Sequence, residues 1–358
     1  MAYDKVIDSS KLDSDLTSVA DAIRSKGGTS EALAFPAGFV SAIEAIEAGG
    51  GGEVTPPTTP TDGKTRVYIH LEYGRTSPML GVCPNGTVTV DWGDGTEPDT
   101  LTGTSTTTVT WTPTHEYTAP GDYVIALTVE GTMGFYGNGS GNQYSGILRY
   151  ASGADARNRA YQNAVQKVEI GESVTSIGSN AFSNCSSLAS ITIPEGVTSI
   201  SSDAFSNCSS LASITIPEGV TSIGGYAFSN CYSLASITIP EGVTSISSDA
   251  FSNCYSLASI TIPESVTSIG SNAFSNCSSL ASITIPEGVT SIRSYAFYNC
   301  SGMRYYDFTA SASVPALSNT YAFNGIQSDC QMLIPAALYD EWSAATNWAT
   351  YAKYMVAV

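Results

Sequence analysis

Positive charge is scarce in this chain. Its 358 residues include 14 Lys and Arg against 32 Asp and Glu, for a formal net charge of −18, and only two histidines, His70 and His115. Few cations exclude a nucleic-acid partner, because phosphate neutralisation draws on Lys and Arg. Two histidines leave little for general-base chemistry or imidazole ligation, and both are expected to be structural. No apolar run is long enough to span a membrane, and the opening MAYDKVIDSSKLDSDL has no apolar core of signal-peptide length. Membrane insertion is not expected, and no export address is visible. No nucleophile with a neighbouring base and no metal set stands out. The expectation is a protein that is not an enzyme, with no cofactor and no metal.

What the chain has in abundance is repetition. Between Val174 and Phe308, 23-residue units recur, each a variant of VTSIGSNAFSNCSSLASITIPEG, aligned by the pairs Ala181-Phe182, Ala204-Phe205, Ala227-Phe228, Ala250-Phe251, Ala273-Phe274 and Ala296-Phe297. A fixed period with apolar residues in fixed places marks a solenoid, in which each unit buries its apolar face only by stacking on its neighbours. In the first unit Ile191 and Ile193 alternate with Thr192, which predicts a short strand with both isoleucines inward and the threonine outward. Pro194 removes a donor and ends that strand.

Two polar columns follow from the period. Glu195, Glu218, Glu241, Glu264 and Glu287 should line up about 4.8 Å apart. They read either as a solvated edge that discourages aggregation or as a column neutralised by divalent cations or a basic partner. Cys185, Cys208, Cys231, Cys254, Cys277 and Cys300 fall where leucine-rich repeats carry Asn or Cys, and read as buried thiols whose S–H satisfies a turn carbonyl. Cys83 and Cys330 lie outside the column, and their pairing is open. No Lys or Arg occurs from Val168 to Ile292, whereas nine acids do.

The pattern LxxIxIPxxVxxIxxxAFxxCxxL resembles the BspA-like leucine-rich repeats of bacterial surface, protist and prophage-encoded proteins. That resemblance implies a repeat fold and a habit of binding macromolecules or cells. The segment LTSVADAIRSKGGTSEALAFPAGFVSAIEAI is similar to the N-terminal segment of prophage tail-associated proteins, which implies attachment or oligomerisation over residues 1–50. Gly-rich then Thr/Pro sequence at 51–64 reads as a linker. Alternating runs over 65–130 predict a small β-sandwich, and VDWGDGT with HEYTAPGDYVIALTV resembles the PKD-type immunoglobulin-like domain. Asp91 and Asp94 are calcium candidates there, against the commoner turn-aspartate role. Residues 131–164 read as a connecting segment that caps the repeats, 165–310 as the repeats, and 311–358 as a C-terminal cap with a helix across the last coil. The fold class is thus mixed: a leucine-rich-repeat solenoid after an immunoglobulin-like sandwich and a short helical segment.

Variation between units concentrates after the second isoleucine and beside the cysteine. Tyr226, Tyr232, Tyr255, Tyr295 and Tyr298, with Arg293, place aromatics and one cation on a Ser/Thr surface, and these six are the candidate binding residues. Taken with the prophage resemblance, this leads to a virion protein of tail-fibre or receptor-binding type, made in the host cytoplasm. It would contact a bacterial surface protein or glycan through the repeats. Residues 1–50 would contact tail or baseplate proteins, and a homotrimer is the assembly such a segment would support. The alternative is a BspA-like bacterial cell-surface or secreted adhesin, and the third reading a tail-associated polysaccharide-degrading enzyme with two carboxylates.

Overall fold

The computed structural model describes residues 60–73, 75–137, 147–150 and 161–358. The helical segment expected over 1–50 and most of the linker fall outside them. Within Thr59–Val358, which forms one compact unit, alternation of Val67, Ile69 and Leu71 with partly exposed neighbours builds β1 (Thr65–Leu71). Strand β2 (Pro78–Asp91) is long enough to serve two pairings. Its first half meets β4 (Thr110–Trp111) and β6 (Leu148–Tyr150), and its second half meets β3 (Asp99–Thr104) and β5 (Gly121–Phe135), all antiparallel. Strand β5 returns antiparallel to β1, pairing Val67 with Ile125 and Thr65 with Leu127.

Strand β5 runs on to Phe135, past the end expected at residue 130. Gly86 and Gly131, at φ 126° and 108°, face each other there; each would push a Cβ into the opposite backbone, so both must be glycine. That glycine pair breaks the alternation in the sequence without ending the strand. The extension places Met133 to Phe135 parallel to β8 (Val174–Ile177), the first return strand of the repeats. Meanwhile β7 (Val165–Glu169) pairs antiparallel with β1 and parallel with β9 (Ser190–Thr192). The antiparallel region therefore closes both open edges of the first coil.

From there the coils repeat in register. Ser199 and Ile200 pair with Ser222 and Ile223, and Ser236 to Thr238 with Ser259 to Thr261, each one unit on. Between the strands, donors alternate in direction. Asn180, Phe182 and Asn184 give their N–H groups to carbonyls of the next coil, while Ala181, Ser183 and Cys185 close turns within their own. The six backbone donors from Asn180 to Cys185 are thereby satisfied without a helix or a long strand. The geometry needs left-handed backbone at two places per coil, and Asn at 184, 207, 230, 253, 276 and 299 takes it at φ between 55° and 63°.

The core is a set of columns. Phe182, Phe205, Phe228, Phe251, Phe274, Phe297 and Phe323 stack with centroids 5.3 to 5.6 Å apart and planes within 10° of parallel. Phe135 of β5 tops this column 5.4 Å from Phe182. At the other end Trp348 and Tyr351 pack on Phe323. The expected helix is α1 (Tyr339–Ala344), followed by a 3-10 turn and a last strand, Met355–Ala357, laid parallel on Gln331–Ile334.

One expectation is corrected at the first coil. Thr192 is buried at 8% exposure, its Oγ1 accepting the Ile170 N–H, where β7 pairs beside it; its counterparts in later coils face outward as predicted.

Candidate functional site

The residue before each Ala-Phe pair is held outward in left-handed backbone: Asn180, Asp203, Tyr226, Asp249, Asn272 and Tyr295, with φ between 54° and 60°. Asn and Asp tolerate this region through their short polar side chains. Tyrosine does not, so Tyr226 and Tyr295 carry backbone strain that four sister units avoid. Tyr226 is 47% exposed and bonded to the Asp249 carboxylate. The charge of Asp249 raises the phenol above its ordinary pKa, with burial, that hydrogen bond and Asp203 adding to it. Asp203 is itself raised by burial.

Four of the five candidate tyrosines gather in two groups, and Tyr226 belongs to neither. Tyr232 and Tyr255 stack at 5.3 Å on successive coils. Tyr295 meets Tyr298 edge-on at 5.6 Å and also stacks, at 5.3 Å and 5°, on Tyr321. No ring contact joins the groups among the described residues. Arg293 is exposed on the turn that leads to Tyr295. Tyr321 was not singled out from the sequence, although it precedes the seventh pair, Ala322-Phe323, as Tyr295 precedes the sixth.

Part of the variation after the second isoleucine is packing. A Cβ on Gly178 would overlap the Tyr136 ring, and Gly224 and Gly270 lie against the Ser202 and Ser248 amides, so these glycines answer to their neighbours. The cysteines also belong to the architecture. Sγ of Cys208, Cys231, Cys254, Cys277 and Cys300 donates to the carbonyls of Phe182, Phe205, Phe228, Phe251 and Phe274 at 3.1 to 3.3 Å. All eight cysteines are free and buried, including Cys83 and Cys330. Burial pushes the Cys185, Cys254 and Cys300 thiols up to about 12, so they are poor nucleophiles. The glutamate column is exposed throughout.

In the antiparallel region, both calcium candidates are engaged by the turn itself. Asp91 Oδ1 accepts the Gly93 N–H, while Asp94 accepts from the Thr96 amide and hydroxyl and contacts His115 Nε2 at 2.9 Å. Burial opposes the Asp94 charge, yet the bonds from Thr96 and His115 outweigh it and hold the carboxyl below its usual value. His115 stacks on Trp92 at 4.4 Å, and Tyr117 Oη donates to the Trp92 carbonyl. His70 lies on the surface, 2.7 Å from Asp122. Among the described residues no group of three His, Cys, Asp or Glu side chains gathers for a metal, and no helix is long and apolar enough to cross a membrane.

Comparison with known proteins bears on the coils. The chain is similar to a crystal structure of the T. pallidum leucine-rich repeat protein TpLRR, at 32% identity over 43% of this chain and 72% of that one, TM-score 0.41. A leucine-rich repeat protein from Eubacterium ventriosum is 25% identical over 52% and 47%, TM-score 0.37. A leucine rich cell surface protein from Faecalibacterium prausnitzii is 29% identical over 46% and 58%, TM-score 0.27. No curated protein matches. The BspA type leucine rich repeat region matches residues 157–277 and 245–339 in six copies, just over half of the chain and the same stretch that stacks its phenylalanines and cysteines in columns. The chain belongs to the BspA-type leucine-rich repeat family.

Proposed function

We propose that this chain is a non-enzymatic adhesin displayed at a bacterial surface, whose repeat solenoid binds a protein or glycan on the facing surface. The observation that carries this reading is the contrast between columns. The inward Phe, Cys and Ile columns hardly change from coil to coil, while outward places exchange Ser, Asn and Asp for tyrosine, at Tyr226 and Tyr295 against the preference of the backbone. A rigid frame holding exposed aromatics is suited to contact. The antiparallel region serves as a PKD-type spacer that also caps the coils, and the glutamate column keeps neighbouring molecules apart.

Labelled chain titrated onto intact bacterial cells and onto epithelial cell layers tests this. Saturable binding, competed by unlabelled chain, is expected on at least one surface. Binding to neither would overturn it.

A second reading keeps the chain in a virion as a receptor-binding protein made in the host cytoplasm, with 1–50 joined to tail or baseplate proteins. It is favoured by the motif from Leu16 to Ile46, outside the described residues. Co-purification with intact virions would establish it, and absence from them would remove it.

A further inference from the structure

We infer that Tyr295, Tyr298 and Tyr321 form a stacking subsite for an uncharged sugar ring, with Arg293 supplying hydrogen-bond donors beside it. This rests on the adhesion reading and names the ligand chemistry of the repeat surface.

The subsite is assembled against the drift of the sequence. From Tyr295 to Tyr321 the chain takes 26 residues where the period is 23, yet the coil ladder resumes. Phe297 donates to the Ala322 carbonyl at 2.8 Å and Asn299 to that of Asn324 at 2.7 Å. Asn319 secures the return, accepting the Tyr321 N–H at 2.9 Å and donating to Ser294 Oγ at 2.8 Å. Tyr321 is thereby set parallel to Tyr295, and Tyr298 stands at 76° to Tyr295. Two parallel rings and one crosswise ring make a corner, with all three 37 to 48% exposed.

Neither Tyr298 nor Tyr295 is required by the fold. Tyr298 takes the place of Ser183, Ser206, Ser229, Ser252 and Ser275, which are buried at 4 to 7% exposure, and it projects outward instead. Tyr295 sits at φ 60° where Asn180 and Asn272 fit without strain. An exposed aromatic kept where the packing calls for Ser, and another where the backbone calls for Asn, point to an external partner for the rings.

Charge and size narrow that partner. Nine carboxylates and no Lys or Arg lie between Val168 and Ile292, a field that repels polyanions. Arg293 has no ion-pair partner among the described residues, and its planar donors can serve sugar hydroxyls. A specific protein interface needs about 800 Å² per partner around an apolar centre, whereas the two coils before this corner carry Asn272 and Asp249 in the Tyr295 column and buried Ser275 and Ser252 in the Tyr298 column. A pyranose offers an apolar C–H face for a ring and hydroxyls for the guanidinium.

The sister units supply the test. Tyr295→Asn and Tyr298→Ser restore residues that other coils carry, so the fold and melting temperature should hold. Calorimetric titration of the full chain would use maltohexaose, cellohexaose and chitohexaose as neutral probes and polygalacturonate as the anionic one. At least one neutral probe should bind in the millimolar range or tighter, and each substitution should weaken it roughly ten-fold or more, while Tyr73→Ser, at an exposed tyrosine outside the coils, leaves it unchanged. Failure of all three neutral probes, preference for polygalacturonate, or unaltered binding by the restored variants would overturn the subsite. Cell binding separates this from the adhesion reading. If the wild type adheres but neither periodate treatment of the target surface nor the double variant reduces it, the sugar subsite is wrong and adhesion stands. If a neutral probe binds in solution but no cell does, adhesion is wrong and the subsite stands.

Discussion

The antiparallel region buries its polar groups singly, whereas the solenoid buries them in columns. In the first, Asp94, His115, Trp92 and Tyr117 make one cluster in which each partner is particular: a carboxylate on a ring nitrogen, a ring on a ring, a phenol on a carbonyl. In the second, one solution recurs in successive coils, with cysteine sulfur on a phenylalanine carbonyl and ring on ring. A fault in the cluster has no sister copy. A fault in a column breaks two coil interfaces at once, because each ring is packed on both sides.

The largest expected effect is therefore in mid-column. Phe228→Ala empties a fully buried place between Phe205 and Phe251 and should cost about 3–5 kcal/mol. Hydrogen exchange should show coils on both sides losing protection while β1, β2 and β5 keep theirs. Uniform loss through the molecule would mean that the two regions unfold as one.

Asp94→Asn addresses the cluster and should cost about 1–3 kcal/mol in chemical denaturation, since His115 and Thr96 lose a charged acceptor. Because the folded pKa of Asp94 lies below its unfolded value, its contribution is present above about pH 4 and is lost as the pH falls through the folded pKa. The wild type should show that acid slope, and the Asn variant a shallower one, with Glu169, also held below its ordinary value, keeping its own share. Equal slopes would remove Asp94 from the account.

Cys254→Ala removes one of five equivalent thiol bonds and should cost about 1 kcal/mol. In the native protein none of the eight thiols should react with a disulfide reagent at mildly alkaline pH, and all should do so in denaturant. A fast thiol would show that its column is open. Smallest of all, Tyr295→Asn should leave stability unchanged or raise it by about 1 kcal/mol at most, by releasing left-handed strain. A marked loss would show that the ring supports the fold.

The two regions also differed in how well they could be read from sequence. The inward face of each coil was legible because one residue pattern, repeated, has few ways to bury itself: Ala-Phe pairs, cysteine positions and strand isoleucines all lie where the period put them. The end of β5 was not legible. Gly131 and Gly134 read as loop, yet Gly134 lies against Thr106 and Ser176, an approach no local pattern announces. Of the candidate residues, Tyr232 and Tyr255 could be paired from their spacing alone. Tyr321 could have been found from Ala322-Phe323, but the three extra residues hid its place in the column.

The sequence by itself determined the coil, its repeat and the chemistry of each column, because identical units must stack identically to bury their apolar face. Only the tertiary structure decided how the stack begins and which tyrosines touch. Phe135 tops the phenylalanine column, β7 and β5 close the first coil, and Asn319 returns Tyr321 to Tyr295. Those contacts join residues far apart in the chain or across an interrupted period, where local pattern carries no information about approach.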